Sequence, residues 1–243
     1  MRYAEQAIYG EPQLADRDHA GRLLARAVAR YRGQPEVIVL ALPRGGVPVA
    51  APIAESLDAP LDVCIVRKIG VPGPEELALG AIASGGARVF NRDVLDQLDL
   101  PMATIEQLVA DEERELLRRE SAYRGDRPFP ELRGRTVIVV DDGAATGASM
   151  LVAVRALRQL EPRMIIVALP IASREAFRLL AAEADDCVCL AQPEPFYGVG
   201  MWYEDFSQLT DTDVRAVLAR ASKAGPAVDG RGPPTDRTLS GVI

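Results

Sequence analysis

Three stretches of this chain are continuously apolar or nearly so: Val37 to Leu42, Thr136 to Val140 and Met164 to Leu169. None alternates apolar with polar residues, so none suits a strand with one face in water. Each must be covered on both sides, as in a parallel sheet. A turn and a helical pattern follow each run. Pro43-Arg44-Gly45-Gly46 leads to a helix from Val47 to Leu57. Asp141 to Ser149 leads to a helix ending near Leu160, and Ser173 caps a helix reaching Ala184. Strand–helix alternation of this kind predicts an α/β fold: an open, mostly parallel sheet with helices on both faces.

Other elements fit around that core. Arg17 to Tyr31 reads as an amphipathic helix capped by Asp16 or Asp18. Pro48 falls in the first turn of the second helix, where a missing N–H does no harm, whereas Pro52 should kink or shorten it. Leu61 to Val66 reads as a strand running into Arg67-Lys68, followed by a Gly/Pro-rich loop from Gly70 to Leu79. A short hairpin is expected around Ser84-Gly85-Gly86, with strands Leu79 to Ala83 and Arg88 to Phe90. Pro101 to Tyr123 reads as a long charged helix, Gly125 to Gly134 as a linker, and Cys187 to Leu190 as a strand. Residues 1–223 are expected to form one domain, with a small hood built from the terminal segments. Residues 224–243, rich in Gly and Pro, are expected to be a disordered tail.

Charge and composition exclude some roles. With 28 Lys and Arg against 35 Asp and Glu, the net charge is −7. A general nucleic-acid coat needs the opposite balance, though an anionic small molecule can still bind at a local positive site. No run approaches the roughly 20 apolar residues of a membrane span, and the first residues lack the order of a signal peptide. A cytoplasmic protein is expected. Cys64, Cys187 and Cys189 have neither CxxC spacing nor a histidine partner, so they read as apolar thiols. The lone histidine, His19, reads as a bystander.

The segment Val137 to Ser149 carries the chemistry. A buried strand ends in Asp141-Asp142, and a glycine-containing turn then enters a helix. Ligands of open parallel sheets bind beyond the carboxyl ends of strands. Free amides at a helix start suit a phosphate, so Gly143, Ala144, Ala145, Thr146, Gly147, Ala148 and Ser149 are the candidate cradle. Two carboxylates beside it would repel a bare phosphate. They make sense if the ligand continues into a sugar whose hydroxyls they accept, or if they help to hold Mg²⁺. A plain strand–turn–helix connection with solvated aspartates is the alternative. The Walker A pattern fails because Ala148 stands where lysine is required, and no GxGxxG occurs.

The run VIVVDDGAATGAS resembles the 5-phosphoribosyl-1-pyrophosphate (PRPP) motif of type I phosphoribosyltransferases, and ALPRGGVPVAAPIAESL resembles the pyrophosphate loop of purine-type members. From about Asp16 to Asp213 the chain is similar to a bacterial group of phosphoribosyltransferases without a settled substrate. The resemblance implies transfer of a 5-phosphoribosyl group from Mg²⁺-PRPP to a nitrogenous acceptor. Asp141 and Asp142 would hold the ribose hydroxyls and metal. The family's strained pyrophosphate peptide maps to Pro43-Arg44-Gly45-Gly46. Arg44 and Lys68, with Arg67, would neutralise the leaving group; the alternative is a surface charge for Arg44 and a surface ion pair for Arg67 and Lys68. The Gly70 to Leu79 loop resembles the family's closing loop, with Glu75 and Glu76 either in reach of the site or solvated.

Phe196 to Phe206 looks like the hood of hypoxanthine phosphoribosyltransferases. There Phe196 is the stacking candidate and Asp205 the acidic residue near metal, with Glu204 competing. Purine members commonly carry an Asp where this chain has Ala145, which leaves the acceptor open. The resemblance also implies a homodimer. Two other classes remain in view: a PRPP-sensing regulator without turnover, and a different phosphosugar enzyme.

Overall fold

The computed structural model describes residues 14–34, 36–71, 78–97 and 101–224. Residues 225–243 of the expected tail and residues 72–77 of the expected closing loop, Glu75 and Glu76 included, lie outside the described residues.

The apolar runs become β1 (Val37–Ala41), β6 (Thr136–Val140) and β7 (Met164–Ile171). With β2 (Leu61–Val63) and β8 (Asp186–Ala191) they form a five-stranded sheet in the order β2-β1-β6-β7-β8. Every pairing in it is parallel. Successive residues feed opposite cores. Val37, Val39 and Ala41 join Ile138 and Val140 under α1 (Arg17–Ala27), α2 (Gly46–Leu57), α4 (Met102–Arg124) and α7 (Asp211–Ala224). Ile38 and Leu40 join Val137, Val139 and Val167 under α5 (Ala148–Arg158) and α6 (Arg174–Glu183). This two-sided burial is why the strands read as unbroken apolar runs.

Asp16 caps α1, accepting from the His19 amide at 2.7 Å, and Ser173 caps α6, accepting from the Ala176 amide at 3.0 Å. His19 accepts only locally, from the Ala15 amide at 3.2 Å. Helix α2 is not shortened by Pro52; it runs on to Leu57. It crosses α1 at Gly21, where any Cβ would collide with the Val49 carbonyl.

Leu61 to Val66 is not one strand. The Cys64 amide still donates to Ala41 of β1 at 2.9 Å, but the Ile65 amide turns to Ser84 Oγ at 2.9 Å. The chain thereby changes sheets, and β3 (Val66–Gly70) pairs antiparallel with β4 (Ala78–Ala83), which pairs with β5 (Arg88–Phe90). A short helix, α3 (Arg92–Gln97), follows.

Helix α7 was not anticipated. It has a sequence marker in Thr210-x-x-Asp213: Thr210 Oγ1 accepts from the Asp213 amide at 3.2 Å, and Asp213 accepts from the Thr210 amide at 2.8 Å. Val214 and Leu218 then face the core. All three thiols are free, and burial pushes each up to about 12, so they sit as apolar groups. Among the described residues, no helix is long and apolar enough to cross a membrane.

Candidate functional site

The strand order turns back between β1 and β6, and a ligand crevice belongs outside the carboxyl ends of such strands. Two helix starts meet there: α2 after the 43–46 turn, and α5 after 141–147. The Pro43–Arg44 peptide is cis. Gly46 is required by packing, since a Cβ there would lie 2.5 Å from the Val140 carbonyl oxygen. A Cβ on Gly45 would run into the Asp142 carboxylate. The two loops therefore interlock through their glycines.

In the cradle, Gly147 turns at φ +74° ahead of α5. Ala145, Thr146 and Ser149 are exposed, and the amides of Ala145, Thr146, Gly147 and Ser149 have no acceptor among the described residues. Thr146 Oγ1 accepts from Ala148 at 3.3 Å. The Ala144 amide is committed to the Ile171 carbonyl at 2.9 Å, so the cradle is shorter than the sequence suggests. In the other loop, the Gly46 amide donates to Leu42 at 3.0 Å, leaving Arg44 and Gly45 with the amides that have no described acceptor. Arg44 itself is exposed.

Asp141 and Asp142 differ in their surroundings. Asp141 accepts from the Asp142 amide at 2.9 Å. Burial, then the neighbouring Asp142 charge, pushes its carboxyl well above the ordinary 3.8. Burial also raises Asp142, opposed by Arg17, whose Nε donates to Oδ2 at 2.8 Å. Sequence reasoning missed Arg17. It also missed Tyr203, whose hydroxyl donates to the Asp142 carbonyl at 2.7 Å. No spacing rule links residues this distant in the chain.

The other expected site residues lie on β3 and in the 196–206 segment. Arg67 and Lys68 do not end a parallel strand; they begin the antiparallel flap and point to opposite faces of β3. Arg67 pairs with Glu112 of α4 at 2.7 Å, the ion pair that was its plainer reading, while Lys68 is exposed. Phe196 packs into the hood's apolar cluster with Leu14 and Tyr203, whereas Tyr197 is 77% exposed. Asp205 accepts from the Ser207 amide at 2.9 Å and from its hydroxyl, contacts that hold its carboxyl below the ordinary value. It does not gather with Asp141 and Asp142: no cluster of three metal-binding side chains occurs among the described residues. The hood does reach the motif, since a Cβ on Gly143 would lie 2.5 Å from Val199.

A cavity of about 530 Å³ lies between α1, α2 and α7, lined by residues such as Pro48, Glu55, Asp58 and Arg220. None of the residues from 141 to 149 lines it. It is apart from the strand-end chemistry and is not the candidate site.

Residues 12–196 match the phosphoribosyl transferase domain family. The chain belongs to that family. Two Mycobacterium tuberculosis proteins, named provisionally as phosphoribosyl transferases, are each 44% identical to it over 208 residues, or 86% of this chain. The chain spans about half, 47%, of those relatives' length. The crystal structure of TT1426 from Thermus thermophilus is 44% identical and superposes with a TM-score of 0.76, covering 86% of this chain and 98% of that one. The parallel sheet with helices on both faces is thus the architecture of a phosphoribosyl transferase domain, and the loops that carry the two sequence motifs are the 43–46 and 141–149 turns already described.

Proposed function

We propose that this protein transfers the 5-phosphoribosyl group of PRPP to a nitrogenous acceptor and releases pyrophosphate. The observation that carries the reading is the meeting of two amide-rich helix starts and a twin carboxylate at one strand-order reversal. A ligand with phosphate at one end, a diol in the middle and a second phosphate group at the other fits that order of donors and acceptors.

The 5-phosphate takes the amides of Ala145, Thr146, Gly147 and Ser149, aided by the positive end of α5. The ribose hydroxyls donate to Asp141 and Asp142. The pyrophosphate faces the amides of Arg44 and Gly45 and the Arg44 guanidinium. The protein alone gathers no cation cage among the described residues. That fits Mg²⁺, which takes one or two carboxylates and completes its shell from water and ligand phosphates. Asp141 and Asp142 would hold it, and when bound it neutralises charge on the leaving group. In the reaction the C1–O bond to pyrophosphate breaks with its electron pair leaving on oxygen. The acceptor nitrogen forms the new bond to C1 and releases its proton. Ala145 offers no base, so that proton goes to water or to the departing pyrophosphate. The chain's own residues act by orientation and charge.

On the acceptor side, Tyr197 presents the exposed ring rather than Phe196. A planar, base-like acceptor stacked on Tyr197 is the class we favour.

The test is pyrophosphate release from Mg²⁺-PRPP against purines, pyrimidines and amines. The reading expects one class to turn over, with an Asp141→Asn, Asp142→Asn double variant inactive. PRPP binding without release for any acceptor would instead support a sensor, and tight ribose 5-phosphate binding with no PRPP preference would support a different phosphosugar enzyme.

A further inference from the structure

Arg17 opens α1, yet its guanidinium is built into the twin-acid site. Nε donates to Asp142 Oδ2 at 2.8 Å, Nη1 donates to the Ser207 carbonyl at 3.0 Å, and Cζ stands 3.8 Å from the centroid of the Phe206 ring. The Arg17 and Asp142 side chains are only 11% and 16% exposed. An arginine in an anion-binding site would ordinarily be taken for a phosphate ligand. Here one face is stacked and two edges are committed, so it is not free to follow a phosphate.

Its geometry acts on Asp142 instead. The carboxylate lies against the Cα of Gly45, Arg17 takes Oδ2, and Tyr203 holds the Asp142 carbonyl at 2.7 Å. Arg17 bonds Oδ2 alone and leaves Oδ1 of Asp142 free of the guanidinium. We propose that Arg17 is a positioning residue for the sugar: it fixes the Asp142 carboxylate so that the remaining oxygen accepts from a ribose hydroxyl, and it ties that carboxylate to the hood that receives the acceptor. This rests on the phosphoribosyl reading above. One charge-assisted bond from a guanidinium that is itself held by Ser207 and Phe206 keeps the carboxylate in one orientation, which a freely rotating aspartate beside a second acid would not keep. Phe206 and Ser207 belong to the hood, so the sugar and acceptor sides share one anchor.

The probe pair is ribose 5-phosphate and 2-deoxyribose 5-phosphate, titrated into the full chain by calorimetry. A hydrogen bond to a charged acceptor makes the wild type prefer the ribose form by about tenfold or more. Arg17→Gln should cut that preference to within about twofold while weakening the deoxy sugar far less, because the charge-assisted anchor is what is lost. Arg17→Lys should recover part of the preference. Phe206→Leu, which loosens the Arg17 stack and the 4.9 Å ring contact with Tyr203 but keeps both hydrogen bonds to Asp142 available, should lower it by about threefold and serves if Arg17→Gln does not fold. Equal weakening of both sugars means a merely structural arginine and overturns the inference. An undiminished preference in the variants overturns it as well, with the phosphoribosyl reading intact. A wild type that does not distinguish the sugars overturns the ribose role itself, and the inference with it.

Discussion

The carboxylate of Asp142 occupies the space that a side chain on Gly45 would need. The turn after β1 and the turn after β6 are therefore one unit, and a methyl group at residue 45 must displace an acid proposed to hold sugar. Gly45→Ala should weaken Mg²⁺-PRPP binding by about tenfold or more, comparable to losing a charged hydrogen bond. Gly45 has φ −62°, so its backbone tolerates alanine and the fold should survive. Calorimetry beside thermal unfolding checks this. Full PRPP affinity in a folded variant would mean the contact is incidental.

Asp141 gives a pH dependence of stability. Its folded carboxyl titrates above the ordinary 3.8, so the native protein keeps a proton that the unfolded chain has released. Stability from this group therefore falls as pH rises from about 4 through the folded pKa, and is flat beyond it. Asp141→Asn should unfold at a higher temperature than wild type near neutral pH and show a shallower fall above about pH 4. The same variant should lose PRPP affinity. A lower melting temperature would contradict the assignment of burial as the cause.

Away from the site, Arg124 and Asp62 form a buried pair at 2.9 Å, their side chains 2% and 3% exposed, with Glu120 at 3.2 Å from the same guanidinium. Arg124 also donates to the Val63 carbonyl at 2.9 Å, fixing α4 to β2. Arg124→Ala leaves two carboxylates buried without their cation and should cost about 3–5 kcal/mol. Replacing Arg124 and Asp62 together with apolar residues should recover part of that loss. Urea unfolding midpoints read both. A loss under about 1 kcal/mol in the single variant would show that the pair is solvated.

Tyr197 and Phe196 separate by exposure. Tyr197→Ala should raise the acceptor KM by about tenfold, the effect of roughly 1–2 kcal/mol of stacking, and leave PRPP binding unchanged. Phe196→Leu should act mainly on hood stability through its packing near Leu14. The opposite pattern in steady-state kinetics would restore Phe196 as the platform.

The sheet was legible in the sequence because Val37 to Leu42, Thr136 to Val140 and Met164 to Leu169 need cover on both faces, which helices flanking a parallel sheet supply. The strand–turn–helix start at residues 136–149 was legible because it is local: its parts are neighbours in the chain. The single strand expected from Leu61 to Val66 failed for a tertiary reason. The sheet change between Cys64 and Ile65 rests on Ser84, which no reading of residues 61–68 contains. Arg17 was hidden for a similar reason, being 125 residues from Asp142. Helix α7 could have been found from Thr210, Asp213 and the spacing of Val214, Val217, Leu218 and Ala221. The neighbouring Gly/Pro-rich tail obscured it.

Calorimetric titration of the full chain with Mg²⁺-PRPP, in wild type and Asp142→Asn, tests the central claim most directly. The account predicts saturable one-to-one binding that pyrophosphate competes away, weakened about tenfold or more by the substitution. No binding in the wild type, or an unchanged affinity in a folded Asp142→Asn variant, would contradict it.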